Sequence, residues 1–538
     1  MKRKPLISTV VAAIVAPLLA ACGVSDGSGS GSGSGGDAVI VGTTDQVTAS
    51  GEAPAPLDPA YAYDIATWNI LRQTVQTLMI QPKGGGDPVP EAAEQCGFTD
   101  TRSRRYVCTL REDLRFADGD RITSKDVKFS VDRALSIQAD SGVFSILSTV
   151  DSVETQGERK VIFHLNAPDA TFPFKLSTPV AGIVSAREYE KNELRPGFAV
   201  DGSGPYTMEA HLEGDELRSA TFLANPHYTG TLKRSSEEIE LRFFTDAASM
   251  SAAFDESDID VMTRTMSPSR IRELARAFTD NVNLVELPGL EIRYLAFDTD
   301  APSVENKAVR QAMAQVIDRS ELVSKVYGTQ ADPLYSLVPA SLSGHTNSFL
   351  NKYGEPDTEA ARSLLEEAGV TTPVKLTLHY TTDHYGPQTK QEFAILRQQL
   401  NATGLFDTAI VGTPWKDFRP AQMKGEYAVY GMGWFPDYPD ADSYIAPFLD
   451  KDNTLNSPYV SSKIRTTLLP ESRSHADRID AVSSLTAIQD IVAEDVPLLP
   501  LWQGKQYVGA GDHVTGAAYV VNTGASLQLW EIGRGIKE

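Results

Sequence analysis

Between residues 374 and 380 the chain alternates Val374, Leu376, Leu378 and Tyr380 with Lys375, Thr377 and His379, the period-two pattern of a strand with one buried face. IELRFF (239–244) and YAVYGMGW (427–434) read as further strands. Three helical patterns stand beside them. Thr123 is placed to cap a helix carrying Val127, Val131, Ala134 and Leu135, with Asp126 in the first turn, where the helix dipole favours an acid. The stretch Val304 to Ile317 sets Ala308, Val309, Ala312, Met313, Val316 and Ile317 on one stripe, and Asp318 or Ser320 then opens a short helix that ends at Gly328. Asp357 or Thr358 begins the third, with Ala361, Leu364, Leu365 and Ala368 inward and Gly369 as the stop signal. Strands and helices interleave without simple alternation, which predicts several domains of α/β and α+β type.

The N-terminus breaks this pattern. Lys2, Arg3 and Lys4 precede an apolar run from Leu6 to Ala21, and then Cys22, the layout of a secretory signal. Leu19-Ala20-Ala21-Cys22 resembles a bacterial lipobox, in which the cysteine is lipidated and becomes the first residue of the mature chain. A plain signal peptide or a membrane span is the alternative, and a span needs about 20 apolar residues. Residues 1–22 are therefore expected to be a lipoprotein signal and 23–36, rich in Gly and Ser, a flexible tether. No second hydrophobic run is long enough to span a bilayer.

The whole chain is 41% hydrophobic and 22% charged, so the 502 residues after the tether can bury large cores, and their length suggests about three domains. Removing the three signal cations takes the formal charge from −22 to −25, which disfavours nucleic acid and anionic lipid as partners. With Cys22 assigned to lipid, Cys96 and Cys108 remain, and an exported pair of this kind predicts a structural disulfide closing a hairpin. Zinc, the rival reading, lacks a CxxC or histidine partner nearby.

The segment 430–448, YGMGWFPDYPDADSYIAPF, gathers Trp434, Phe435, Tyr438 and Tyr444 around Asp437, Asp440 and Asp442 at the end of a strand. Aromatic rings provide rigid contact area, and a carboxylate among them can meet a ligand ammonium in a partly desolvated place. The competing reading is a Pro-rich turn with a solvated acidic rim. Trp415 and Trp502 also follow expected strands and are candidate ligand contacts. His379 and His384 lie five apart without a third ligand at metal spacing, and DYPDAD lacks the glycine and terminal glutamate of a calcium loop. No metal or other cofactor is expected. HExxH and CxxC are absent, and no GxSxG occurs beyond the tether, so an exported hydrolase would need a triad dispersed through the fold.

A series of motifs follows in order: LDPA near residue 57, LRFADGDRITSKDVKFSVDRAL (114–135), DGSGPY (201–206), NPHY (225–228), DESDID (255–260), the stretch containing VRQAM and IDR, EAARSLLEEAG, and GWFPDYPDAD. Together they resemble the family 5 extracellular solute-binding proteins, the dipeptide- and oligopeptide-binding lipoproteins of ABC importers. The resemblance implies an α/β fold, a two-lobed periplasmic-binding-protein clamshell (type II, cluster C). Residues 37–61, 200–289 and 500–538 would form lobe I, residues 62–199 an extra inserted domain, and residues 290–499 lobe II. It implies a monomer that is not an enzyme, held outside the cytoplasm on the cell membrane by its lipid, capturing a peptide between the lobes and presenting it to permease subunits. The family's W-x-x-D-Y motif, whose aspartate neutralises the peptide ammonium, matches at Trp434, Asp437 and Tyr438, with Pro436 a departure that removes an N–H. The binding contacts implied are Asp437, Trp434, Phe435, Tyr438, Trp502 and Trp415. A receptor for a signalling peptide, or a carrier of a nickel chelate, haem or oligosaccharide, would share this scaffold.

Overall fold

The structure, a computed structural model, describes residues 38–51, 53–276, 282–451 and 453–535. Cys22 and the tether at 23–36 lie outside the described residues. In chain order the elements that position the site begin with β1 (Val39–Thr43) and α1 (Ile65–Thr74). Next come β2 (Ala93–Phe98), β3 (Arg105–Leu110), α2 (Ser124–Ile137), β4 (Val150–Gln156) and β5 (Lys160–Leu165). They are followed by β6 (Tyr206–Glu213), β7 (Glu216–Ala224), β8 (Glu238–Phe243), β9 (Val261–Met262) and β10 (Val282–Phe297). Then come α3 (Lys307–Val316), α4 (Arg319–Val326), α5 (Thr358–Glu367), β11 (Val374–Thr381) and α6 (Thr389–Ala402). The series ends with β12 (Phe406–Thr413), α7 (Trp415–Met423), β13 (Val429–Trp434), α8 (Asp442–Leu449), α9 (Val482–Asp495) and β14 (Leu498–Gly511).

Local chemistry explains most boundaries. Thr123 closes a capping box with Asp126 at the start of α2. Asp318 and Asp357 cap α4 and α5, accepting from Glu321 N at 2.8 Å and Glu359 N at 2.9 Å. The stripe expected from Val304 starts later, at Lys307 under an Asn306 cap, because Val304 N bonds Ala301 O at 2.9 Å and closes a turn first. Ala368 is exposed, being the C-cap of α5 and no longer on its inner face. In β11 the alternation holds: Val374, Leu376, Leu378 and Tyr380 are buried and Lys375 is exposed.

One mixed sheet runs in the order β12-β11-β13-β10-β14-β9-β1-β8-β7-β6, and a four-stranded antiparallel sheet in the order β2-β3-β5-β4 packs beneath α2. Cys96 sits directly opposite Cys108 in the β2–β3 pair and the two are bridged, with Cα atoms 4.1 Å apart. The buried apolar side chains form two large clusters. The first joins β1, α1, the four-stranded sheet, α2 and β6 to β8 with the chain after Val508, and the second runs from Leu290 to Trp502. The parts of the fold built on the first and second cluster are termed the first and second lobe. The antiparallel strands β10 and β14 belong to both, pairing from Val282↔Gly511 to Ala296↔Leu498. Their register slips between Pro288 and Ile292, where a Cβ on Gly289 would stand 2.5 Å from Gly504 O. Glycine is needed there to let the strands cross so closely.

The motif residues mostly hold this frame. Asp58 of LDPA and Arg133 of α2 form a buried bidentate pair at 2.7 and 2.6 Å, and Asp58 also accepts from Arg195 N at 2.7 Å. Arg310 of VRQAM donates to the carbonyls of Val304, Glu305, Asp495 and Val496, and Arg319 of IDR to Pro500 O. Removing one partner of a buried ion pair leaves an uncompensated charge, at a cost of about 3–5 kcal/mol. Asp58→Ala is therefore expected to lower the free energy of urea unfolding by that amount, with a matching fall in the midpoint. An unchanged midpoint would mean that Arg133 finds other partners.

Candidate functional site

β13 pairs with β10 so that Trp434 opposes Ile292 and Gly433 opposes Arg293. The aromatic segment thus leaves the sheet at the seam between the lobes. Where it leaves, a cavity of about 460 Å³ is walled by Tyr63 and Trp68 from the first lobe and by Arg293, Tyr385, Trp415, Arg419, Trp434, Phe435, Pro436 and Asp437 from the second. That volume and lining fall within the range of small-ligand sites, about 300–1,000 Å³ with aromatic walls and few polar groups.

The three aspartates of the segment have different surroundings. Asp440 takes a bidentate pair from Arg478 at 2.7 and 2.9 Å, and Asp442 accepts from Arg473 Nε at 2.9 Å. Both are buried and neutralised. Asp437 borders the cavity, and among the described residues no lysine or arginine forms an ion pair with it. Burial pushes its carboxyl up to about 6, against the opposing pull of the Tyr63 hydroxyl and of Lys175. Lys175 is itself held at 2.7 Å by Asp169. The result is a half-buried acid whose ionised form is disfavoured, faced across the seam by a neutral phenol.

The remaining residues singled out from sequence divide. Trp434 lines the cavity and is fixed by Nε1 donating to Ser443 O at 2.8 Å and by an edge contact with Phe448. Phe435 lines it too, 37% exposed, with the Arg264 guanidinium 5.6 Å from its ring. Trp415 stacks on His384 at 3.9 Å and 5°, and both face the cavity. Tyr438 is buried, with its hydroxyl 3.3 Å from Asp442 and its ring against Phe174, and borders a smaller adjoining cavity. Trp502 is outside the lining: it is buried, bonded to Glu392 at 3.1 Å and packed under Arg293. His379 stacks on Tyr427 at 4.0 Å, away from His384's partner.

Sequence reasoning missed Tyr63, Trp68, Arg293, Tyr385 and Arg419. Arg293 is the most telling. Its guanidinium lies 3.7 Å from the Tyr385 ring centroid and pairs with Glu291 at 3.1 Å, while Nε and Nη1 have no partner. It fits because its cross-strand neighbour is Gly433, where a Cβ would collide with Nη1. Arg419 donates to Thr454 O at 2.8 Å and to Gln422, and pairs with no carboxylate among the described residues. The cavity is thus acidic where Asp437 meets Tyr63 and basic along Arg293 and Arg419. Tyrosine and tryptophan faces lie between.

A family model, the bacterial extracellular solute-binding proteins, family 5 (middle), matches residues 87–456. The chain belongs to this family. This family 5 protein is 22% identical over 480 residues to the probable D,D-dipeptide-binding periplasmic protein DdpA of Escherichia coli K12, covering 87% of this chain and 90% of that one. It is 25% identical over 498 residues to the glutathione-binding protein GsiB of Shigella dysenteriae, covering 90% and 94%. In structure it resembles DppA of Helicobacter pylori, solved in complex with the peptide STSA, with a TM-score of 0.74 at 20% identity over 93% of this chain and 98% of that one. The likeness establishes the fold of a family 5 protein.

The raised pKa of Asp437 has a definite consequence for stability. A group whose folded value lies above its unfolded value stabilises below the unfolded value, 3.8, and loses that contribution as pH rises through about 6. Asp437→Asn is accordingly expected to raise the stability of the ligand-free protein at pH 7.5 by about 1–3 kcal/mol and to leave it unchanged below pH 4. Chemical unfolding at the two pH values measures this. A gain that is equal at both pH values rules out the desolvated carboxylate as its cause.

Proposed function

We propose that this protein captures short peptides with a free N-terminus between its lobes and delivers them to the permease of an ABC importer. It works as a monomer outside the cytoplasm, lipid-anchored through Cys22. The observation that carries the reading is Asp437: a carboxylate desolvated by aromatic neighbours, without an ion-pair partner, at the wall of a cavity built from both lobes. An ammonium placed there gains a charge-assisted bond in a site from which water is largely excluded. Trp434, Phe435 and Trp415 provide the walls. Tyr438 braces the turn that presents Asp437, and Trp502 acts from beneath by seating Arg293. Arg293 and Arg419 would receive the carboxylate end of a short zwitterion. The names of DdpA, GsiB and the peptide-bound DppA favour the same class of solute.

The lobes in this reading are residues 37–61, 200–289 and 500–538 on one side and 290–499 on the other, with 62–199 inserted in the first. The second apolar cluster, running from Leu290 to Trp502, supports that division. Closure of the lobes around a ligand would then be a hinge motion at the β10–β14 crossing.

Losing one partner of a buried charge pair costs about 2–5 kcal/mol, which is roughly thirtyfold to several thousandfold in affinity. Asp437→Ala is expected to weaken binding of a free-amine tripeptide by that factor in titration calorimetry, and to abolish the preference for it over its N-acetylated form. Equal affinity of wild type and variant for the free amine would sink the assignment.

A further inference from the structure

Behind Asp437 the cavity continues along α1. Asp437 and Pro436 also wall an adjoining space of about 40 Å³, and this meets a third of about 30 Å³. A water-sized group needs roughly 10–15 Å³ measured this way, so the first space has room for about three such groups, enough for a carboxylate. Arg72 of α1 borders both small spaces.

Arg72 is half-buried and, like Arg319, which donates to Pro500 O, pairs with no carboxylate among the described residues, in contrast to most of the other enclosed arginines. Arg133, Arg473 and Arg478 each face an aspartate, and Arg310 is caged by carbonyls. Arg72 has Nη1 on Ser177 O at 3.2 Å and its guanidinium 5.7 Å from the Trp68 ring, while Nε has no partner. No carboxylate pairs with it among the described residues. Glu91, the acid on the wall of the third space, is already engaged by Gln76 Nε2 at 2.9 Å and by Tyr228. Burial alone pulls the guanidinium down to about 10, as for a cation without a counterion. Asn69 Nδ2, on the wall of the 40 Å³ space, and Gln76 Oε1, on that of the third, likewise have no partner.

A carboxylate, Asp437, and a guanidinium without a carboxylate, Arg72, therefore wall one small space. Resting on the peptide reading above, we propose that Arg72 forms an anion subsite behind the ammonium site, selecting peptides whose first unit carries a carboxylate next to its ammonium. Two sources supply that chemistry: the side chain of an N-terminal Glu or Asp, and the α-carboxylate of a γ-linked glutamyl unit. Arginine suits the role, since its planar fork receives a carboxylate through two parallel bonds. The preference would run against the protein's net charge of −22, so a local site and not the overall field must produce it.

Calorimetry with Glu-Ala-Phe, γ-Glu-Ala-Phe and Met-Ala-Phe on the full protein tests the subsite. Wild type is expected to bind one acidic form at least tenfold more tightly than Met-Ala-Phe. Preference for the α-linked form identifies the side-chain carboxylate as the group bound, and preference for the γ-linked form the α-carboxylate. In Arg72→Gln the ratio of acidic to neutral peptide is expected to fall to about one, and in Arg72→Lys to an intermediate value. The ratio separates recognition from a merely structural role, which would shift all three affinities together. Met-Ala-Phe bound as tightly as both acidic forms by wild type overturns the subsite while leaving peptide capture standing, as does a preference that survives in Arg72→Gln. Failure of all three peptides to bind wild type overturns both.

Discussion

The crossing of β10 and β14 is the constraint from which the rest of the molecule follows. Two strands serve both apolar cores, pressed together where Gly289 faces Gly504 and slipped in register beside that point. Because β13 pairs with the distal part of β10, its last residues, Gly433 and Trp434, come to the seam next to Arg293 and Ile292. The segment after β13 has to turn there. It is supported by α8 of the second lobe, where Trp434 Nε1 donates to Ser443 O at 2.8 Å, while α1 of the first lobe closes the space opposite. The cavity is thus a product of strand pairing, and its position at the ends of strands is where α/β sheets commonly bind ligands.

Within that turn the chain separates structural charge from functional charge. Asp440 and Asp442 are tied to Arg478 and Arg473 from the segment before α9, which fixes the turn. Asp437, three and five residues earlier, has no such partner, and its ionised form is disfavoured by burial. In the proposed reading, the stability lost by leaving it so would be recovered on binding a ligand cation. A site of this kind binds through the difference between an unfavourable buried charge and a satisfied one.

The elements were legible where short-range chemistry governs them. Caps at Thr123, Asp318 and Asp357, the alternation in β11 and the opposed cysteines all depend on neighbours within a few residues or on one adjacent strand. Asp437 stood out because its aromatic neighbours are contiguous with it. The opposite wall did not, since Tyr63, Trp68, Arg293, His384, Tyr385 and Arg419 are spread over more than three hundred residues and meet only through the fold. Arg293 carries no local signal at all: its role rests on Gly433, a residue on another strand whose missing side chain makes the room. Conversely, the most recognisable motifs, around Asp58, Arg133, Arg310 and Arg319, are the ones that satisfy buried backbone and charge far from the cavity. Trp502, expected after a strand, lies inside β14, and its indole is used internally, on Glu392.

The contact between Tyr63 and Asp437 ties these observations to how the lobes cooperate. Tyr63 belongs to the first lobe and Asp437 to the second, so their meeting already joins the two across the cavity. It is a bond from a neutral hydroxyl to a carboxylate that burial has made a poor anion. A ligand ammonium offers the same carboxylate a charge-assisted bond, roughly twice as strong, while the body of the ligand touches rings from both lobes. The ligand thereby takes over a link that the protein makes weakly by itself. That link adds to the contacts that already join the two sides, among them Phe174 against Tyr438 and Ala170 N on Arg473 O at 2.8 Å. In the proposed reading, recognition of the ammonium and closure of the lobes would be one energetic event centred on Asp437.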